Sequence, residues 1–132
     1  MKIMCVFLLI AVCFGCGGYS SPSTPATPQP GVVPVIAELS PDNTNAGGPA
    51  FIMTVNGTSF ASGSIVKWNG TNLTTTFVTA KQLTADIPAS AIATSGTVPV
   101  TVTNPAVAGT GGPYGNGGTT AATSMAVNFT VE

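Results

Sequence analysis

The sequence predicts an all-β fold, a two-sheet β-sandwich of about seven strands. Apolar residues alternate with polar ones in several short segments, which places each apolar set on one face of a strand. The 132 residues include twenty Thr and fourteen Val, whose β-branched side chains suit a pleated sheet. Gly, Pro and Asn interrupt the segments at intervals of roughly ten residues, which is typical of a sandwich.

Five segments carry the alternation, and each is expected to turn its apolar set toward the core. No window shows the 3.6-residue apolar stripe of a helix, and residues 89–93 could form one helical turn at most. The apolar sets, in chain order, are Phe51, Met53 and Val55; Val66 and Trp68; Leu83, Ala85 and Ile87; Val98, Val100 and Val102; and Val127, Phe129 and Val131.

The residues between these segments favour turns. Asn69-Gly70 is the dipeptide preferred by a tight hairpin turn. Pro88 and Asn104-Pro105 are expected to end the strands that precede them, since proline cannot donate a hydrogen bond to a sheet.

Residues 1–15 are predicted to be a signal peptide with a short helix. Lys2 is followed by an apolar run from Ile3 to Phe14. Such a run spans roughly 18 Å as a helix, which is short of the ~30 Å hydrocarbon core of a bilayer. An export signal is therefore favoured over a permanent membrane span.

Gly15-Cys16, at the end of this run, resembles the lipobox of bacterial lipoproteins. The resemblance implies cleavage between Gly15 and Cys16, acylation of Cys16 with fatty acids such as palmitate, and export to the cell envelope. Gly17 resembles the residue found there in lipoproteins sent to an outer membrane or the cell surface. The alternative is a free Cys16 thiol after a plain signal or an uncleaved anchor. All three cysteines precede residue 17, so the remaining chain can form no disulfide.

Residues 16–32 are predicted to form the lipidated terminus and a disordered tether, followed by one domain over residues 33–132. Residues 17–31 contain four prolines and no periodic apolar set, so they cannot build a core. An extended polyproline conformation could reach ~45 Å. The stretch would then hold the domain off the membrane, or serve as an ordinary disordered leader.

The composition argues against several functions. Charged residues make up 5% of the chain, with three Lys and no Arg, so no nucleic-acid partner is expected. The chain has no His, and its four acids are expected to lie at the surface, so we predict no metal, no cofactor and no enzymatic activity. Ser64 and Lys67 have the S-x-x-K spacing of acylating enzymes, but on a strand their side chains would point to opposite faces.

The domain resembles the IPT/TIG family of immunoglobulin-like modules. The resemblance implies an immunoglobulin-like sandwich without catalytic activity and without a fixed ligand site. It rests on residues 35–41, 46–49, 51–57, Phe60, 66–70, 83–88, 98–105 and 127–131.

One loop departs from the family, which usually has a short connection there. Residues 104–124 contain six glycines. A loop of this length is either functional or merely flexible. Tyr114 and Asn116 are its side chains best suited to contact a ligand.

The leading hypothesis is therefore a non-catalytic, lipid-anchored envelope protein that presents a binding domain to an envelope protein or a glycan. One alternative is a spacer or assembly subunit whose open strand edges pair with another protein. A second is a carbohydrate-binding accessory module, which the small number of aromatic residues disfavours.

Overall fold

The computed structural model describes residues 28–109 and 117–132. The predicted signal peptide, Cys16 and residues 17–27 of the predicted tether lie outside these ranges. Within them, strands of four or more residues are β1 (Val35–Ser40), β3 (Phe51–Thr58), β4 (Ile65–Trp68), β6 (Thr75–Thr79), β7 (Gln82–Ile87), β8 (Gly96–Asn104) and β12 (Val127–Val131). Two-residue strands are β2 (Asn43–Thr44), β5 (Thr71–Asn72), β9 (Val107–Ala108), β10 (Gly118–Thr119) and β11 (Ala122–Thr123).

The strands form two main sheets, which confirms the all-β, immunoglobulin-like sandwich. The first sheet has the order β1-β3-β7-β6. The second has the order β2-β12-β8-β4-β5, and β11 pairs with the far end of β8. Pairing is antiparallel except between β2 and β12. A small ribbon of β9 and β10 stands apart from both sheets.

The predicted alternation is confirmed in all five segments. The residues between the two sheets form one apolar cluster, in which Met53, Val66, Leu83, Val100 and Phe129 have no exposed surface. Phe129 joins the two sheets, since its ring lies 5.0 Å from that of Trp68 in one sheet and 6.0 Å from that of Phe51 in the other.

The predicted turns are also confirmed. Lys67 pairs with Asn72 and Trp68 with Thr71, so Asn69 and Gly70 form a two-residue hairpin turn. Both residues have positive φ angles, 47° and 82°, as the turn type that matches sheet twist requires. Strand β7 ends before Pro88, β8 ends at Asn104, and Ala89–Ile92 forms a single 3-10 turn.

One of the longer strands was not predicted from the sequence. Thr75–Thr79 forms β6, although its sequence shows no alternation and none of its side chains is fully buried. Trp68 packs in the core as expected, on a strand that lies close to the edge of its sheet. Strand β4 pairs along its length with β8, and on its other side only with the two residues of β5.

Residues 28–32, which were expected to belong to a disordered tether, contact the domain. The Gln29 N–H donates to Gly118 O at 3.0 Å, and the Thr120 N–H donates to Gln29 O at 2.9 Å. Backbone hydrogen bonding thus orders these residues without any apolar periodicity. Among the described residues, no helix is long and apolar enough to cross a membrane.

Candidate functional site

The strand register defines two ends of the sandwich. Phe51 pairs with Ile87 at one end of β3, and Val35 pairs with Thr58 at the other. Because residues 28–34 join the domain beside Thr58, we call that end the amino end. The opposite end lies seven residues away along β3, or ~23 Å at 3.3 Å per residue.

The chain crosses from one sheet to the other at this opposite end, between β5 and β6. The Leu73 N–H donates to Val66 O at 2.9 Å, and the Asp86 N–H donates to Thr74 O at 3.0 Å. The Thr75 hydroxyl accepts a hydrogen bond from the Val66 N–H at 2.9 Å. These bonds hold the crossing segment against both sheets, with Leu73 half-buried at its centre.

An open cleft of about 490 Å³, which we call the Leu73 cleft, lies beside this crossing. We call this end of the sandwich the cleft end. A second hollow of about 420 Å³ lies on the other side of Leu73, next to Trp68 and the 3-10 turn, and shares Asn72, Leu73 and Pro88 with the first. The Leu73 cleft is lined by Ala50, Phe51, Ile52, Asn72, Leu73, Thr74, Asp86, Ile87 and Pro88.

The lining combines an apolar floor with a polar rim. Phe51, Leu73 and Ile87 belong to or pack against the core, whereas Ile52 is 62% exposed. Of the residues that line the Leu73 cleft, Asp86 is charged, and it is exposed to solvent. Such a cleft can take up an apolar side chain while its rim offers hydrogen bonds and one negative charge.

A buried asparagine organises the amino end. Asn104, at the end of β8, is 6% exposed, and its Nδ2 donates to Val32 O and to Ser59 O, each at 2.8 Å. Its Oδ1 accepts from Ser64 Oγ at 2.6 Å and from the Ala61 N–H at 3.3 Å. One side chain thus joins the incoming chain, the β3–β4 loop and β8.

The long loop starts from the amino end. Its base is the β9–β10 ribbon, which Gln29 extends by a parallel bridge to Thr119. Tyr114 and Asn116 lie outside the described residues, as do Gly15 and Cys16, so the proposed roles of all four stay predictions. The loop base and the Leu73 cleft lie at opposite ends of the sandwich.

The other patterns weighed in the sequence do not form a site. The Ser64 hydroxyl is buried and hydrogen-bonded to Asn104, while Lys67 lies on the opposite face of β4 from buried Val66 and Trp68. In the part of the chain that the structure describes, no three potential metal ligands cluster together.

Sequence reasoning missed both the cleft and the role of Asn104. Asn104-Pro105 marked the end of a strand, but nothing local showed that the amide would be buried. The cleft is formed by three segments distant in the chain. The one available signal was Leu73, an apolar residue between polar neighbours immediately after a predicted hairpin.

The two sheets and their order define an immunoglobulin-like module, a class of domain that is generally non-catalytic. A family model described as the IPT/TIG domain matches residues 34–130. The chain therefore belongs to the IPT/TIG domain family, as its sequence blocks indicated. A search among curated proteins found no match. A search among solved structures found none either.

Proposed function

We propose that this chain is a non-catalytic, lipid-anchored protein of the cell envelope whose TIG domain binds a partner at the cleft end. Acylated Cys16 holds the protein to a membrane, and residues 17–27 span the distance to the domain. The Leu73 cleft then forms the contact with another envelope component.

The observation that carries this proposal is the placement of the two ends. The incoming chain is fixed at the amino end by the hydrogen bonds of Gln29 and Asn104. The Leu73 cleft lies at the opposite end, ~23 Å farther along the strands. An anchor on residue 16 leaves that end free to turn away from the membrane, where a partner can reach it.

A glycan is the less favoured partner. Carbohydrate sites commonly present exposed aromatic faces, and Trp68, the only tryptophan, is 6% exposed. Phe77 is 38% exposed but lies on a strand edge. We therefore place a protein ahead of a glycan as the partner.

Replacing Cys16 by serine is expected to move most of the protein from the membrane fraction to the soluble fraction. Each buried methylene of an acyl chain contributes about 0.8 kcal/mol to membrane binding, so its loss releases the anchor. Cys13→Ser, in the same segment, is the matched control and should leave partitioning unchanged. Intact mass of the membrane-extracted protein should show loss of residues 1–15 and an added lipid. Equal partitioning of both variants would contradict the anchor.

Photo-crosslinking in intact cells tests which end binds. A crosslinking amino acid at Ile52, on the rim of the Leu73 cleft, is expected to capture a partner. The same group at Val107, near the base of the long loop, is the control, because the two residues are similarly exposed, at 62% and 60%. Capture from position 107 but not from position 52 would assign binding to the long loop instead.

A further inference from the structure

We propose that the partner contributes an extended segment, which adds to the free edge of β6 as a further strand and places an apolar side chain in the Leu73 cleft. A cationic residue of the segment then lies near Asp86. This inference rests on the proposed function and names the kind of partner that the cleft end takes.

Strand β6 offers an open edge. It is the outer strand of its sheet and pairs with β7. Phe77 and Val78 are 38% and 47% exposed, and none of its five residues is charged. Natural outer strands usually carry charges or prolines that prevent pairing with another chain, and β6 carries neither.

The other outer strands are protected or short. Strand β1 contains Glu38 and a bulge between Ile36 and Glu38, and prolines stand at positions 34 and 41. In the second sheet β2 and β5 have two residues each. The open side of β4 is covered where Val66 bonds to Leu73 and Thr75. Strand β6 also has a register shift, between Phe77 and Thr79. Its regularly paired residues, 75–77, nevertheless carry no charge and no proline, and in this they differ from β1.

The register shows which backbone groups of β6 are free. The Asp86 N–H on β7 donates to Thr74 O, so Thr74 directs its backbone groups toward β7. In an antiparallel ladder every second residue of a strand does the same. Thr76, opposite Thr84, therefore faces β7. Thr75 and Phe77 direct their N–H and C=O groups away from the sheet, toward an added strand.

The free edge runs directly into the cleft. Thr74 lines the Leu73 cleft and immediately precedes Thr75, the first residue of β6. A strand bound along β6 would reach the cleft at its end. Main-chain hydrogen bonds would then supply affinity, and the apolar floor beside Asp86 would supply specificity.

The apolar floor of the cleft favours a partner over the chain itself. A second copy paired antiparallel through β6 would bring Thr79, Ala80 and Lys81 to the cleft end, which supplies a cation for Asp86 but no large apolar side chain for the cleft. The chain's own residues 17–31 contain Pro22, Pro25, Pro28 and Pro30, which have no N–H to donate. An extended segment of another protein, with an apolar residue close to Lys or Arg, fits both the edge and the cleft.

Selection of random peptides displayed on phage against the full-length chain tests this inference. Enriched peptides are expected to carry an apolar residue close to Lys or Arg and to lack proline in the pairing stretch. Hydrogen exchange with a selected peptide should show the Thr75 and Phe77 amides slowed by binding. The Thr76 amide, already bonded to β7, should be slow both with and without peptide.

Two variants and one control complete the test. Val78→Lys, which puts a charge on the edge, should weaken binding of the selected peptide about tenfold or more through lost main-chain bonds. Asp86→Asn should weaken it about two- to fivefold at low salt, as loss of an exposed ion pair does. Asp42→Asn removes an exposed acid outside the Leu73 cleft and should have no effect.

Three results would overturn the inference. One is selected peptides that bind the Val78→Lys and Asp86→Asn variants as tightly as the parent chain. Another is unchanged exchange at Thr75 and Phe77. The third is a dimer that Val78→Lys abolishes, which would make a second copy the occupant. Crosslinking from Ile52 could capture a partner while peptide binding is unaffected by Val78→Lys and leaves exchange in β6 unchanged. In that case the proposed function stands and this inference fails.

Discussion

Replacing Phe129 by alanine is expected to lower the free energy of unfolding of the domain by about 3–5 kcal/mol. The ring has no exposed surface and contacts the rings of Trp68 and Phe51, one in each sheet. The substitution removes the side chain that joins the two layers and leaves a cavity between them. The domain has no cysteine, and so no disulfide that could compensate.

Denaturant unfolding followed by circular dichroism measures this effect. Phe77→Ala is the matched control, because it makes the same chemical change at a 38% exposed position. It should cost about 1 kcal/mol or less, as substitutions near the surface do. Equal losses in the two variants would contradict a core centred on Phe129.

Replacing Asn104 by aspartate is expected to destabilise the domain by about 3 kcal/mol at neutral pH. The change keeps the shape of the side chain but removes the two N–H donors to Val32 O and Ser59 O. It puts a carboxylate oxygen against two carbonyl oxygens in a buried site. Residues 28–32 should lose their contact with the domain first, and limited proteolysis should cleave there more readily than in the parent chain.

The loss should depend on pH in a defined direction. Burial beside carbonyl oxygens raises the pKa of the introduced carboxyl in the folded state above its value in the unfolded chain. The loss of stability in Asn104→Asp is therefore smallest at a pH below the pKa of the carboxyl in the unfolded chain. It grows as the pH rises through the pKa of the carboxyl in the folded domain. Asn128→Asp, at an exposed position on β12, is the control and should change stability by about 0.5 kcal/mol or less. A loss of stability in Asn104→Asp that is the same at every pH would contradict a buried carboxylate.

The fold could be predicted from the sequence because the core strands have one buried face. Met53, Val55, Leu83 and Ala85 alternate with polar neighbours, and a period of two assigns them to the same side without knowledge of their partners. The Asn69-Gly70 turn was equally local, since its positive φ angles depend on those two residues alone. Strand β6 was not predicted from the sequence, because an outer strand has little apolar pattern to detect.

The candidate site could not be predicted in the same way. The Leu73 cleft joins residues 50–52, 72–74 and 86–88, which only the pairing of strands brings together. Asn104 is a polar residue between polar and apolar ones, and its four hydrogen bonds reach Val32, Ser59, Ala61 and Ser64. No spacing rule links residues so far apart along the chain.

The sequence by itself determined the all-β class, the inward faces of the strands, the turns and the family. Each of these depends on residues within a few positions of one another, where backbone sterics and side-chain alternation act directly. Only the tertiary structure decided which strand edge stays open, which amide is buried and at which end the cleft lies. Those features depend on long-range pairing, whose outcome follows from the total burial of apolar surface and cannot be assigned to any local segment.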